Sequence, residues 1–182
     1  MKKIILTVFL VISLVKANAQ CDLPYKSLST FGTDTTAFLL YNFVDRVDCY
    51  KGKTYQTLVQ DLQVPVYKSF LRPILYKKGK TNGLILYMIQ DFYDRSINKT
   101  DYYIMDVNFD LILDLDDVRE KMGIKGIKAN SDQLRNYFKD MKVTGIELSI
   151  SKYNQHYPKY KDKLEPKETK SYDPNKRRGG DW

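Results

Sequence analysis

Residues 34–70 read DTTAFLLYNFVDRVDCYKGKTYQTLVQDLQVPVYKSF, and their spacing decides the fold. Thr33 or Asp34 can cap a helix in which Ala37, Phe38, Leu40, Tyr41 and Val44 recur at intervals of three and four, the period of one helical face. Lys51-Gly52-Lys53 breaks that helix, and Thr54 caps a shorter one carrying Leu58, Val59 and Leu62. Pro65 keeps Val64 extended, because its ring crowds the helical conformation of the preceding residue. Val66 to Phe70 then alternates like a strand. Two helices this short are marginal alone in water, so their apolar faces need a sheet to cover.

The rest of the chain supplies one. Arg72-Pro73 reads as an interruption, and Lys77-Lys78-Gly79-Lys80-Thr81-Asn82-Gly83 as a hairpin turn. Leu84 to Ile89 is a continuous apolar run, which predicts a central strand buried on both faces. Asp91 to Asp101 is a charged connection, Tyr102 to Val107 a further strand, and Leu111-Ile112-Leu113 either continues it or crosses to a new position. Asp117-Val118-Arg119-Glu120 has capping-box spacing with an acidic cap, and Gly123 ends that helix. Asn130 or Ser131 caps a helix with Leu134, Tyr137, Phe138 and Met141 on one face, and Ile146 to Ile150 alternates as a strand with one wet face. The prediction is a single α+β domain over residues 20–151: a mainly antiparallel sheet of about four strands with helices packed on one face.

Lys2 and Lys3 precede an apolar run from Ile4 to Val15, and Ala17-Asn18-Ala19 follows. A positive start, about a dozen apolar residues and a small-x-small site make a signal peptide over residues 1–19, cut between Ala19 and Gln20. The run is short of the roughly 20 residues a membrane span needs. The expected location is therefore outside the cytoplasm, periplasmic or extracellular. A lipid anchor on Cys21 is the rival, but Gln20 stands where the lipoprotein pattern has a small residue. The two cysteines, Cys21 and Cys49, can form a disulfide in an oxidising compartment. Sequence leaves open whether they come close enough.

The formal charge of +8 is not a nucleic-acid signature. The leader holds three lysines, residues 152–182 hold nine basic against five acidic residues, and residues 20–151 hold eighteen against seventeen. A nucleic-acid domain carries its basic stripe on the folded body, whereas here the excess lies at the two ends. Residues 152–182 have few aliphatic side chains to offset ordering entropy, which predicts a basic, disordered tail whose first part lies along the domain. Neither nucleic acid nor a transmembrane span is expected of the mature chain.

Catalytic patterns fail on inspection. Gly52-Lys53-Thr54 and Gly79-Lys80-Thr81 resemble the end of a phosphate-binding loop, but Val47 and Ile74 stand where that loop needs glycine. Asp106, Asp110, Asp114, Asp116 and Asp117 suggest a calcium loop, but Arg119 occupies the position of its obligatory glycine. His156, the single histidine, sits at the start of the polar tail and reads as solvated. No catalytic, cofactor or metal residues are assigned, and no cofactor is expected.

The run Asp34-Thr35-Thr36-Ala37 through Tyr41-Asn42-Phe43, then Tyr50-Lys51-Gly52-Lys53-Thr54 with Leu58, Leu62 and Pro65, resembles a group of small secreted Bacteroidota proteins of unknown function. The order of these elements is also similar to small extracytoplasmic binding modules, an analogy of fold alone. The expected function is an exported, non-catalytic module that binds a protein or a cell-envelope component through tyrosine-rich strand surface. Alternatives are an envelope hydrolase using carboxylates and a periplasmic immunity or inhibitor protein.

Overall fold

A computed structural model describes residues 21–88, 102–123, 131–151, 154 and 156–164. The leader with Ala19 and Gln20, the connection Asp91 to Asp101, the cap position Asn130 and residues 165–182 lie outside them. Four antiparallel strands run in the order β1 (Lys68–Pro73), β2 (Lys80–Tyr87), β3 (Tyr103–Asp114) and β4 (Val143–Ile150). Among the described residues five α-helices accompany them: α1 (Thr35–Leu40), α2 (Tyr55–Asp61), α3 (Leu115–Lys121), α4 (Ser131–Phe138) and α5 (Tyr157–Leu164). This is the α+β domain the sequence predicts. Among the described residues no helix is long and apolar enough to cross a membrane.

The decisive stretch folds as its spacing dictates. Asp34 caps α1, its Oδ1 accepting the Ala37 N–H at 2.8 Å, and Thr54 caps α2, its Oγ1 accepting the Thr57 N–H at 3.3 Å. What periodicity does not foretell is a widened π turn at Tyr41–Asp45, continuing α1, and a 3₁₀ turn at Val47–Cys49. The fully buried Asn42 stitches this region together. Its amide donates to the carbonyls of Lys26 and Phe38, and its Oδ1 accepts from the Lys26 N–H and from Arg46. Gly52, at φ 76°, makes the break between the helices. Its N–H donates to the Val143 carbonyl at 2.8 Å while the Val143 N–H returns to Lys53 at 2.9 Å, tying the helical half to the start of β4.

Leu84, Leu86, Met105, Val107, Val143 and Ile146 line the inner face of the sheet. Phe38, Leu39 and Phe43 of the α1 region, Leu58 of α2 and Leu134 and Phe138 of α4 cover it. Phe138 stacks on Phe109 with centroids 5.1 Å apart, and Tyr55 meets Phe109 edge-on at 5.7 Å. Cys21 and Cys49 are bridged, with Cα atoms 4.7 Å apart, so the disulfide left open by sequence forms. It fastens the extended N-terminal segment to the end of the helical turn. Arg46 works beside it, donating from Nε to the Leu23 carbonyl at 2.8 Å between the rings of Tyr25 and Tyr50.

Five expectations are corrected. Arg72-Pro73 does not interrupt β1 but completes it; β1 is an edge strand, where a missing N–H is tolerated. The apolar run of β2 is not buried on both faces: Leu84, Leu86 and Met88 point inward, while Ile85 and Tyr87 are half-buried on the outer side. Helix α3 is capped not by Asp117 but by Asp114, whose Oδ1 accepts the N–H groups of Asp116 and Asp117; the extended Asp114 backbone at the end of β3 aims it there. The described part of the tail is ordered as α5, because polar anchors replace the missing aliphatic ones. Tyr160 Oη donates to Asp34 Oδ2 at 3.1 Å, Lys163 reaches Asp45 at 2.8 Å, and His156 Nδ1 lies 3.8 Å from Asp34 Oδ2 in a half-buried rather than solvated setting. Just upstream, buried Asn154 accepts from Thr36 and donates to the Tyr103 hydroxyl.

Two measurements check these ties. Cys49→Ala is expected to lower the unfolding free energy by roughly 3.5 kcal/mol, the chain-entropy value for a loop of this size, and equal thermal midpoints with and without reductant would contradict it. Burial of Asp34 pushes its carboxyl up, but the Ala37 N–H, the Tyr160 hydroxyl, His156 and Lys159 together outweigh this and hold it below its ordinary value. A lowered carboxylate stabilises the fold above its unfolded value of about 3.9 and loses that contribution as pH falls through the folded value. The protection of the Tyr157–Leu164 amides against exchange, relative to the unfolded chain at the same pH, is therefore expected to fall selectively as pH drops below about 4, and Asp34→Ala to cost about 1 kcal/mol through the lost cap.

Candidate functional site

Strand registry places a second set of side chains on the outer face, opposite the helices, because successive residues alternate sides. Three rows cross the sheet from β1 to β4. The first is Lys68, Tyr87, Ile104 and Ser149; the second is Phe70, Ile85, Asp106 and Glu147; the third is Arg72, Gly83, Asn108 and Gly145. Phe70 and Tyr87 meet edge-on with centroids 5.3 Å apart, and Ile85 and Ile104 extend this apolar strip.

Arg72 organises the polar end. Its Nη1 donates to Asn108 Oδ1 on β3, two strands away. That reach needs an empty place on β2, and Gly83 provides it. A Cβ there would collide with the Val107 carbonyl, so no side chain stands between Arg72 and Asn108. From the same position the Arg72 guanidinium lies 4.0 Å from Asp106 Oδ1 and 3.8 Å from Glu147 Oε1.

Asp106 is the unusual member. Burial raises its carboxyl above the ordinary value; the Arg72 charge opposes this and the Glu147 charge adds to it. Its Oδ1 is shielded from solvent yet has no hydrogen-bond partner among the described residues. An unmet buried acceptor of this kind costs free energy, offset here by the Arg72 charge 4.0 Å away. The half-buried Asp106 and the largely exposed Glu147 also form a carboxylate pair of unequal environment.

None of these four polar residues stood out in the sequence. Arg72 read as part of an interruption, Asp106 as one acid in a calcium-like series and Glu147 as an ordinary wet-face residue, while Asn108 fell just past the predicted strand. Only registry brings them together. The acidic series itself disperses: Asp106 joins Arg72, Asp114 caps α3 and pairs with Lys80 at 2.9 Å, and Asp116 pairs with Arg119 at 3.0 Å. Among the described residues no group of three or more His, Cys, Asp or Glu side chains could hold a metal ion. The tyrosines also fall differently from a tyrosine-rich strand surface. Of the two within strands, Tyr87 faces outward while Tyr103 packs against the core and takes the Asn154 bond. Tyr50 and Tyr55 are buried in the core; Tyr50 donates to Asp61 Oδ2 at 2.9 Å. A Tyr ring fills a core, and its hydroxyl stays there when a partner is at hand.

No family model, curated protein or solved structure matches the chain.

The cluster makes a signed prediction for the Asp106 carboxyl. Arg72→Met is expected to move its midpoint up and Glu147→Gln to move it down, followed by carboxyl NMR titration; an unmoved midpoint in both variants would remove the electrostatic account of the site.

Proposed function

We propose that the mature chain from Gln20 is an exported, non-catalytic module that binds a protein or cell-envelope component through the outer face of its sheet. The observation that carries this reading is the unmet Asp106 acceptor beside Arg72, set next to the apolar strip of Phe70, Ile85, Tyr87 and Ile104. An apolar strip supplies contact area, and a charged cluster at its end supplies orientation and partner choice. Export rests on the leader pattern of residues 1–19, and the Cys21–Cys49 bridge is the kind of bond that persists outside the cytoplasm. The likeness to secreted Bacteroidota proteins points the same way.

A second reading follows from the unequal carboxylates. Asp106, raised towards its protonated form, suits a general acid, and Glu147 a base, the division of labour of a glycan hydrolase. Its weakness is position: Glu147 is on an edge strand and largely exposed, where water is hard to exclude.

The immobilised mature chain is expected to retain a partner from envelope extract that a Lys68→Glu, Phe70→Ala, Glu147→Lys variant of equal thermal midpoint does not. If both retain the same material, the outer face is not the binding surface. If the pure protein instead releases fragments from a wall polymer, and Asp106→Asn abolishes this, the hydrolase reading takes precedence. N-terminal sequencing of the secreted form is expected to begin at Gln20.

A further inference from the structure

The helical side carries a separate hollow between α2 and α4. One part, about 480 Å³, lies between Gln56, Val59 and Gln60 of α2 and Arg135, Asn136 and Lys139. A second part, about 290 Å³, shares Val59 and Arg135 with it and runs on past Val64, Pro65 and Val66 towards β1. Backbone bonds join the start of α2 to the turn after α4, the Tyr55 and Gln56 N–H groups donating to the carbonyls of Met141 and Lys139 at 2.9 Å each.

Its lining has a consistent chemistry. The floor is aliphatic, and among the described residues every charged side chain lining it is a cation, Arg135 or Lys139. Among the described residues neither makes an ion pair, and Gln56, Gln60 and Asn136 make no side-chain hydrogen bond. Arg135 lines both parts of the hollow, and its charge opposes the burial that dominates the Tyr55 phenol, which stands raised at about 12. Arg135 in α4 and Lys139, just past its end, are four residues apart in sequence and line the same hollow. Side chains two residues apart on one face of an extended peptide are separated by roughly 6.7 Å.

We propose that this hollow binds an extended acidic peptide segment of a partner protein. Two carboxylates on alternate residues meet Arg135 and Lys139, a following aliphatic residue rests on Val59 and Val64, and the free amides of Gln56, Gln60 and Asn136 bond the peptide backbone. The site is on the opposite side of the sheet from Arg72 and Asp106, so variants of one leave the other intact.

Fluorescence anisotropy with a labelled peptide Asp-Ala-Glu-Leu-Val-Ala, against its Asn-Ala-Gln-Leu-Val-Ala counterpart, tests it on the mature chain. The acidic peptide is expected to bind about tenfold or more tighter, with the advantage shrinking as salt is raised. Arg135→Glu with Lys139→Glu is expected to abolish that advantage without changing the circular dichroism, since both side chains are exposed, and Arg135→Lys to retain most of it. Equal binding of the two peptides, indifference to the double substitution, or equal competition by inorganic phosphate overturns the proposal. So does a dimer of the free chain in sedimentation that Arg135→Glu dissolves, which would give the groove to a second copy.

Discussion

The registry of β2 against β3 is the constraint on which the molecule depends. Leu84 opposes Val107 and Leu86 opposes Met105, all inward, while Ile85 opposes Asp106 outward. A slip of one residue would either bring the Asp106 carboxylate into the core or turn Leu84 and Leu86 towards water. Burying an unpaired carboxylate costs far more than any compensating contact at the surface returns, so the alternative pairing is closed. The close approach of Gly83 to Val107 and the irregularity beside it fix the same alignment sterically. Core and outer face are thus two products of one pairing.

The helical half is held differently. Apolar contact positions α1, α2 and α4 over the sheet, but the path between α1 and α2 is set by polar groups in fixed geometry. Asn42, Arg46 and the Cys21–Cys49 bridge converge on the widened turn, and each satisfies backbone carbonyls or crosslinks segments that a plain helix would not bring together. A π turn of this sort tends to persist only where surrounding contacts over-determine it. Helix α5 repeats the logic at lower cost, as ion pairs and hydrogen bonds to Asp34 and Asp45 hold a segment with almost nothing apolar to bury.

Much of this was legible from residue order. Caps at Asp34 and Thr54, the break at Gly52 and the inward residues of β4 follow from local rules, since short-range sterics and periodicity decide them. The errors share a cause, which is that context overrules local preference. Pro73 is harmless because β1 is an edge strand, Asp114 outcompetes Asp117 because β3 delivers it to the helix start, and the tail helix forms because Asp34 and Asp45 await it. The outer-face cluster was invisible for a deeper reason. Arg72, Asp106, Asn108 and Glu147 come from three strands, and nothing within a short window records how three strands will align.

The composition of β1 bears on how large the sheet can grow. An outermost strand offers unpaired backbone groups to any other extended chain, and uninterrupted edges invite stacking into fibres. Here that margin begins with Lys68, carries Arg72 and ends on Pro73, which has no N–H to offer. At the other margin, the loop through Gly52 and Lys53 already occupies the first residue of β4. The β1 border is therefore blunted at both ends and the β4 border at its start, which works against the docking of a further strand.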